Sequence, residues 1–368
     1  MKIDIEKKDL LSLLAKTQNI VEKRNTMAVL VNVLLDANEN TLKVFATDLE
    51  VSLTDFCSCK VHVPGKLAVN AKNLFEIIKE LFEGPLTLMK KENNWLEIKQ
   101  GKYNSKIVGI SSDEYPIFPT SQLNEFIEID APLLKDMIDK TIYSVSNDDT
   151  RYHLNGVLFE VQPEKGFRMV ATDGHRMSLV NKDFKTPYMS NSQGVIIPRK
   201  GIHEIRKLIE SLSGKIKISI EGSQFVLKCD KTILMVRLIE GKYPNYQQFI
   251  PQKLSQKLSF DRETLLSSLK RVSLLANQKS KAVLFSISKG KIEISSNNPE
   301  LGDAREEIEV DYQGQDIKIG FNAKYIQDVL NNIHEQKIDF EINDQLSPGL
   351  MRPHDDKNYT CVVMPMRI

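Results

Sequence analysis

The stretch "TDGHRMS" holds three residue types that act together in hydrolases. Asp173, His175 and Ser178 could supply an orienting acid, a general base and a nucleophile. Such catalysis also needs an oxyanion hole and a nucleophile held on a defined turn. The sequence has no G-x-S-x-G elbow, no phosphate-binding glycine loop and no spacing typical of metal ligands. We therefore predict that the chain is not an enzyme, with a hydrolase centred on Asp173 and His175 as an alternative that turnover assays would decide.

The cysteines and the chain's hydrophobic pattern bear on cofactors and location. The four cysteines, at positions 57, 59, 229 and 361, form no cluster with histidines. We therefore predict no metal, no cofactor and a reducing, cytoplasmic location. The start, "MKIDIEKKDL", lacks the hydrophobic segment of a secretory signal. No apolar run approaches the roughly 20 residues that cross a bilayer, so we expect no membrane association.

Length and charge describe an ordinary globular protein of more than one domain. The 368 residues favour two or three domains. The formal net charge is +1, which argues against a uniformly basic nucleic-acid-binding protein. A net charge does not reveal how charges are distributed over the surface.

Three parts of the sequence repeat one pattern. Alternating apolar and polar residues are followed by an acidic residue, a Leu-Leu pair and an apolar stripe with helical spacing. The copies are "KIDIEKKDLLSLL" from Lys2, "FIEIDAPLLKDMI" from Phe126 and "KLSFDRETLLSSL" from Lys257. Behind each copy, a strand–turn–strand–loop–strand pattern recurs, with Ala-Thr-Asp shared by the first two. A strand and a second helix then follow, as in "VNAKNLFEI", "IPRKGIHEI" and "FNAKYIQDV".

The repeats predict the fold class and the domain limits. A period of roughly 125 residues is long enough for a complete domain. We predict an α+β protein of three topologically similar domains, each with two helices and antiparallel strands, covering residues 1–124, 125–253 and 254–368. Because the linkers near 121–125 and 252–256 are short, we expect a regular arc of domains. Self-association of such an arc into a ring would close it.

The predicted helices carry basic residues beside their apolar stripes. Examples are Arg199, Lys200, Arg206 and Lys207 around the stripe that begins at Ile202. For any one helix, an ordinary solvated face explains this pattern. Helices repeated along one side of an arc would instead form a continuous basic surface that contacts phosphates without reading bases. Few aromatic residues accompany these helices, so double-stranded DNA is the favoured partner over single strands.

Seven motifs, in order along the chain, resemble those of bacterial DNA polymerase III β subunits, the sliding clamps. They are "RYHLNGVLFE", "VATDGHRMSLV", "IIPRKGI", "GKYPNY", "NNPE", "GFNAKY" and the C-terminal "VVMPMRI". The resemblance spans the whole chain. It implies three clamp domains per chain and a head-to-tail homodimeric ring, with helices on the inner side around duplex DNA and sheets on the outside. The remaining alternative is a peptide-binding scaffold that does not encircle DNA.

The resemblance also implies a groove for partners between the second and third domains. Its partners would be DNA polymerase III α, clamp-loader subunits, and other polymerases and repair proteins that dock by short linear motifs. Flexible methionines and a stiffening proline suit a groove that accepts several peptides. The implied groove residues are Arg151, Leu154, Thr172, Gly174, His175, Arg176, Met177, Pro244, Phe249, Leu346, Val362, Met364, Pro365, Met366 and Arg367.

Two further sets of residues are implied by the same resemblance. The residues expected to face DNA are Arg24, Tyr152, His153, Arg199 and Lys200. For the dimer, Leu274 and Leu275 are expected to pack against the Lys72–Leu81 helix of the other subunit. The acidic stretch "NPELGDAREE" is expected to pair with lysines of "IKQGKYNSK" there. Exposed ion pairs are worth at most about 1 kcal/mol each, so apolar contact must carry that interface.

Overall fold

The computed structural model describes residues 1–21, 27–116, 126–162, 165–183, 194–251 and 254–367. Most of the two predicted linkers, and Arg24, lie outside these residues. The chain forms two compact units: the first contains Met1–Leu134 and Lys200–Leu238, and the second contains Lys135–Arg199 and Ile239–Ile368. These units do not coincide with the predicted domains, so the limits of 1–124, 125–253 and 254–368 stay predictions.

Six α-helices lie in the described residues, two in each repeat as the sequence predicts. Each begins directly after a strand, and asparagine or aspartate caps three of them. For example, Asp261 Oδ1 accepts the Thr264 amide at 2.9 Å, which satisfies a backbone donor that the first turn leaves free. The helices are α1 Lys7–Thr17, α2 Ala71–Glu80, α3 Ala131–Asp139, α4 Arg199–Ile209, α5 Arg262–Val272 and α6 Ala323–Asn331.

The strands follow the same threefold repetition, which confirms the α+β class. In chain order they are β1 Lys2–Glu6, β2 Asn32–Asn38, β3 Thr41–Thr47, β4 Val51–Ser58, β5 Lys60–Val63, β6 Gly65–Asn70, β7 Pro85–Lys90, β8 Trp95–Gln100, β9 Tyr103–Ile110, β10 Ile127–Asp130, β11 Gly156–Gln162, β12 Gly166–Thr172, β13 Arg176–Lys182, β14 Val195–Pro198, β15 Lys215–Glu221, β16 Gln224–Cys229, β17 Thr232–Arg237, β18 Gln256–Asp261, β19 Ala282–Ser288, β20 Lys291–Asn298, β21 Gly302–Glu309, β22 Ile317–Asn322, β23 Lys337–Ile342, β24 Gly349–Pro353 and β25 Tyr359–Val363.

The first unit is built on one antiparallel sheet of thirteen strands, in the order β10-β15-β16-β17-β4-β3-β2-β6-β9-β8-β7-β1-β5. Helices α1 and α2 pack against each other, and their apolar stripes are buried. Leu10, Leu14, Leu74 and Ile78 are among these buried side chains. Burying each such side chain contributes about 1.5–3 kcal/mol, which explains why amphipathic segments of only 10 or 11 residues stay helical here.

The second unit contains two antiparallel sheets. The larger has the order β14-β11-β12-β13-β25-β24-β23-β18, and the smaller has the order β21-β20-β19-β22. Phe285, Phe321 and Phe340 pack together in this unit, with ring centroids 5.5–6.4 Å apart. Among the described residues of the chain, no helix is long and apolar enough to cross a membrane.

Two strand pairs join consecutive repeats in the same way. β4 of the first repeat pairs with β17 of the second, with Val51 opposite Val236. β13 of the second repeat pairs with β25 of the third, with Arg176 opposite Val363. Val51 and Arg176 occupy equivalent positions, three residues after the shared Ala-Thr-Asp. The last strand of each later repeat therefore pairs with the same strand of the repeat before it.

Candidate functional site

An apolar cluster in the second unit gathers side chains from both repeats that meet there. Alternation along β13 directs Met177 and Leu179 to the face of the sheet that holds this cluster. Val362 of β25 lies directly opposite Met177, so the C-terminal strand completes the cluster. We call these residues the groove cluster: Leu154, Leu158, Val170, Met177, Leu179, Ile196, Tyr243, Tyr246 and Val362, with Ile239 and Ile250 packed against them.

The segment after β25 is held by backbone hydrogen bonds to the residue before β13 and to β22. The Met364 amide donates to the His175 carbonyl at 2.9 Å, and the Met366 amide donates to the Gly320 carbonyl at 2.8 Å. The backbone is therefore fixed on both sides. The Met364 side chain remains 37% exposed, while Pro365 and Met366 are half-buried and Arg367 is exposed. An apolar C-terminal segment is thus ordered by pairing and still presents side chains to solvent.

The turn that joins β12 to β13 is held by its own side chains. Asp173 Oδ1 accepts the amides of His175 and Arg176 at 2.9 and 3.0 Å. Thr172 Oγ1 donates to the Arg176 carbonyl at 2.6 Å and accepts the Gly174 amide at 3.1 Å. Gly174 has a φ of +87°, a left-handed conformation that favours glycine. We call residues 172–176 the acid turn.

Arg151 lies against the acid turn. A Cβ on Gly174 would come within 2.7 Å of Arg151 Nη1, so a larger residue there would have to displace the end of the Arg151 side chain. Arg151 Nε donates to Asp148 Oδ2 at 3.0 Å, which fixes the guanidinium at this position. The structure thus brings Arg151 beside Gly174, at the place where the resemblance puts the groove's edge.

Arg176 lies on the opposite face of β13 from Met177, and its guanidinium contacts other parts of the unit. It donates to Asp173 at 3.1 Å and to Asp328 of α6 at 2.6 Å, and it also donates to the Tyr143 carbonyl. The guanidinium carbon lies 4.5 Å from the centre of the Tyr325 ring. Arg176 therefore links the acid turn to α6 and is not part of the apolar cluster.

The structure does not assemble Asp173, His175 and Ser178 into a catalytic triad. The Asp173 carboxylate is bonded to Arg176 and to backbone amides, and the His175 side chain is exposed. Ser178 is buried and bonds Ser144 Oγ at 2.7 Å and the Tyr143 hydroxyl at 2.6 Å. Burial raises the pKa of the Tyr143 hydroxyl well above its usual range, which disfavours a tyrosinate that could act as a base for Ser178. The geometry does not support the hydrolase alternative.

Three other predicted groove residues occupy less central places. Pro244 is half-buried and directly follows Tyr243, whose hydroxyl accepts the Thr172 amide at 3.1 Å. Phe249, at the end of a short 3-10 helix, and Leu346, on a loop, are exposed and are not members of the groove cluster. Asp344 accepts the Leu346 amide at 2.8 Å and so orders that loop. Whether these residues contribute to the groove stays a prediction.

Sequence reasoning missed six members of the groove cluster. Two of them, Tyr243 and Tyr246, lie in the "GKYPNY" motif, whose paired tyrosines could have indicated them. The Tyr246 hydroxyl donates to Glu160 at 2.9 Å and accepts from Arg168 at 3.0 Å, so its polar end is satisfied. The others are apolar residues of four strands, β11 to β14, where alternation alone marks a buried face without naming its neighbours: Leu158, Val170, Leu179 and Ile196.

Comparison with known proteins agrees with this architecture. Family models of the DNA polymerase III beta subunit match the whole chain: the N-terminal domain at 1–119, the central domain at 128–245 and the C-terminal domain at 247–367. The beta sliding clamp of Caulobacter vibrioides (strain NA1000 / CB15N) is 32% identical over 373 residues, with 100% of both chains covered. The crystal structure of the Pseudomonas aeruginosa DNA polymerase III subunit beta has a TM-score of 0.96 at 31% identity, with 100% of both chains covered.

The chain belongs to the DNA polymerase III beta subunit family. Its general function is therefore that of a DNA sliding clamp for polymerase processivity. Another P. aeruginosa sliding clamp of this family, solved bound to griselimycin, has a TM-score of 0.94 at 31% identity, with 100% of both chains covered. The resemblance found in the sequence, and its three clamp domains, are confirmed.

The residues that the beta subunit resemblance assigns to DNA differ in their surroundings. Arg199, the first residue of α4, is exposed. Lys200 forms an ion pair with Asp48, whose side chain is only 2% exposed. Tyr152 is exposed and meets His153 edge to face, with ring centroids 5.5 Å apart. Since Lys200 already neutralises a buried carboxylate, its charge is less available to phosphates than that of Arg199.

The residues assigned to the beta subunit dimer lie on exposed parts of their units. Leu274 is 76% exposed just after α5, and Leu275 is half-buried beside it. Phe82, two residues after α2, is 86% exposed, although two hydrogen bonds with Gln100 fix its backbone. A large apolar side chain on a fixed backbone suits a contact surface. These residues are thus available for a subunit contact, which stays a prediction.

Proposed function

We propose that two copies of this chain close head to tail into a ring around duplex DNA. The observation that carries this proposal is the strand pairing between repeats. β4–β17 and β13–β25 join the repeats within the chain, and the equivalent strands that remain are β21 and β9. Among the described residues, β21 pairs only with β20, and β9 pairs with β6 only at Gly109 and Ile110. If β21 of one copy pairs with β9 of another copy, the same junction that occurs twice within the chain occurs a third time between chains.

The repeats also specify the register of that junction. Val51, Arg176 and Gly302 occupy equivalent positions in the three repeats. Each lies in the second strand of the same hairpin or directly at its start, and the residue six positions further on pairs with the equivalent residue of the first strand in all three hairpins. Val236, Val363 and Ile107 are likewise equivalent. Three residues after each of them, Ile239, Met366 and Ile110 form a β-bridge to the strand that precedes the second helix of the same repeat. Gly302 of one copy therefore lies opposite Ile107 of the second copy. One step further, acidic Asp303 lies opposite basic Lys106.

Apolar contact adds to this ladder. An edge ladder of a few residues and exposed ion pairs of up to about 1 kcal/mol would not hold a stable dimer by themselves. Leu274 and Phe82 are the exposed apolar residues closest in sequence to the expected interface helices. Their burial between copies would supply about 1.5–3 kcal/mol for each side chain. The proposed interface thus combines backbone pairing, opposite charges and apolar anchors.

A closed ring holds DNA by topology and needs no strong contact with it. Weak attraction of phosphates to exposed cations such as Arg199 is then sufficient, and the ring remains free to slide. The formal net charge of +1 agrees with such weak attraction. No catalysis by the chain is involved, and the proposed place of action is the cytoplasm, where chromosomal DNA is replicated.

Topological retention is tested on circular DNA. The clamp, loaded onto nicked circular DNA, is expected to stay bound at a salt concentration that releases ordinary phosphate-binding proteins, and to leave when the circle is linearised. Gel filtration through a large-pore matrix measures the retained fraction, and light scattering measures the mass of the free assembly. Equal loss from circular and linear DNA, or a monomeric mass, would refute the ring and leave the peptide scaffold as the alternative.

We further propose that the groove cluster and the segment after β25 bind partner peptides. The proposed partners are DNA polymerase III α, clamp-loader subunits, and other polymerases and repair proteins with short linear motifs. The buried apolar side chains of the groove cluster, with exposed Met364 two residues after Val362 and Arg151 beside Gly174, would suit leucine-like and aromatic anchors. The griselimycin-bound relative supports the presence of a ligand site in this family.

Deleting residues 364–368 tests the groove. The deletion removes Met364, Pro365 and Met366 and keeps β25, so partner binding is expected to fall at least tenfold while the dimer persists. The probe is a fluorescein-labelled peptide with leucine and phenylalanine anchors, read by polarisation, with griselimycin as competitor. Arg352→Ala, on the neighbouring strand β24, serves as a control for general damage to the sheet. Unchanged peptide affinity in a dimeric truncated clamp would contradict the groove assignment.

A further inference from the structure

We propose that Asp328 of α6 is a positioning residue for the partner groove. Its carboxylate holds Arg176, and Arg176 holds the acid turn against which the segment after β25 is fixed. This inference rests on the proposed peptide-binding function of the groove. It adds a residue from a helix that contributes no side chain to the groove cluster.

The contacts form a continuous chain of charged groups. Lys324 Nζ lies 2.6 Å from Asp328 Oδ1, and Arg176 Nη1 lies 2.6 Å from Asp328 Oδ2. Arg176 Nε in turn lies 3.1 Å from Asp173 Oδ2. The side chains of Arg176, Asp173 and Asp328 are only 11%, 15% and 13% exposed. At this degree of burial, solvent replaces a lost partner poorly, so each contact constrains the next.

The acid turn transmits this constraint to the groove. The second oxygen of Asp173 accepts the amides of His175 and Arg176. The His175 carbonyl accepts the Met364 amide at 2.9 Å, and Met177, next to Arg176, belongs to the groove cluster. A shift of Arg176 therefore moves the carbonyl that fixes Met364. The guanidinium is also placed by the Tyr325 and Tyr143 rings, 4.5 and 5.5 Å from their centres.

The first repeat junction shows that this arrangement is not needed merely to join two repeats. There, Asp48 of the equivalent turn contacts Lys200, the second residue of α4. The position equivalent to Arg176 is Val51, and the position equivalent to Asp328 is Glu204. Both junctions thus have an aspartate in the turn and a lysine at the second position of the helix. Of the two, only the junction that carries the groove cluster has, among the described residues, an arginine that bridges the turn aspartate and a carboxylate of the helix. This difference favours a role in the groove over a role in general packing.

The experiment compares substitutions at Asp328 in the full-length clamp. Asp328→Asn keeps the shape and removes the charge that holds Arg176, and it is expected to weaken binding of the labelled leucine–phenylalanine peptide roughly tenfold. Asp328→Glu restores the charge and is expected to bind within about threefold of the unchanged clamp. Asp316→Asn, an exposed aspartate before β22, makes the same charge change and is expected to leave affinity unchanged.

Hydrogen exchange separates positioning from general destabilisation. In Asp328→Asn, the Met364 amide is expected to exchange faster, while the Val362 amide in the centre of the sheet stays protected. Normal peptide affinity in Asp328→Asn, or equal loss of protection at both amides, would overturn the inference. If the unchanged clamp itself fails to bind the peptide, the proposed groove function fails, and this outcome is distinct from the failure of Asp328.

Discussion

Arg199 and Lys200 are neighbours in the sequence, yet their charges have different surroundings. Arg199 is exposed at the start of α4, while Lys200 neutralises Asp48, whose side chain is almost fully buried. Reversing the charge at each position therefore tests different properties. The sequence shows a basic pair and cannot show that one member has an internal partner, because Asp48 is 152 positions away from Lys200.

Charge reversal at these two residues is expected to give separable results. Arg199→Glu should lower the slope of log affinity against log salt by about one for a short linear duplex, with an unchanged thermal midpoint. Lys200→Glu places a second carboxylate beside buried Asp48 and should destabilise the first unit by about 1–3 kcal/mol. Salt titrations and calorimetry measure these effects. Lys60→Glu, on exposed β5, is the charge-matched control, and an equal loss of DNA affinity in the control would contradict a DNA contact at Arg199.

At the residue scale, the types of residues around the candidate groove could be predicted from the sequence, whereas their side-chain contacts could not. The resemblance predicts the apolar C-terminal segment, Met177 and Leu154 as groove residues, and the structure brings Leu154, Met177 and Val362 into one apolar cluster. The position of Arg176 on the opposite face follows from alternation once the strand limits are known. Its partner Asp328 could not be predicted, since the two residues are 152 positions apart and pair only through the folding of two repeats onto each other.

At the element scale, strand pairing across the repeats predicts a covalent link between subunits. In the proposed register, Arg305 of β21 lies opposite Asn104 of β9 on the exposed face. A clamp carrying Asn104→Cys and Arg305→Cys should therefore form a disulfide-linked dimer under mild oxidation, since directly opposed residues have Cβ atoms about 4.5–5.5 Å apart. Denaturing gel electrophoresis without reductant measures the linked fraction.

Matched cysteine pairs test the register as well as the contact. Asn104→Cys with Glu309→Cys lies on the same faces but four residues out of register, roughly 13 Å away, and should link poorly. Each single-cysteine variant controls for the chain's own free thiols, of which Cys57 and Cys59 are half-buried. Efficient linking of the shifted pair, or none of the opposed pair, would contradict the proposed junction.

The elements themselves were largely predictable from the repeated pattern. Two helices in each repeat, and a strand before each helix, appear where the alternation and the apolar stripes place them. The sequence could not reveal which strands pair between repeats, because ladder partners are chosen by the packing of whole domains. It also could not show that, among the described residues, β21 keeps an open edge and β9 stays unpaired with β6 before Gly109, since an edge strand and a paired strand have similar sequences.

At the scale of the whole molecule, the repeats underlie both proposals, retention on DNA by a ring and docking of partners at the groove cluster. Three equivalent domains use one junction twice within the chain, and the proposed third use requires a second copy. The groove cluster forms where the second junction brings β13 and β25 together. Thus the contact that extends the chain of domains also assembles the apolar cluster that we propose as the binding surface. The three-domain organisation was predictable from internal similarity, whereas the two compact units divide the central repeat in a way that no sequence period indicates.

Among the described residues, the free edge of β21 and the part of β9 that β6 leaves unpaired make each chain a building block with two unlike ends. A contact between unlike ends adds chains without limit unless the curvature of each chain brings the free end of the last chain back to the first chain. A substitution that altered this bend by a small angle would turn a closed pair into an open spiral. Concentrated samples of such a variant would then contain fibres, visible by electron microscopy, because the two chains would no longer close into a ring.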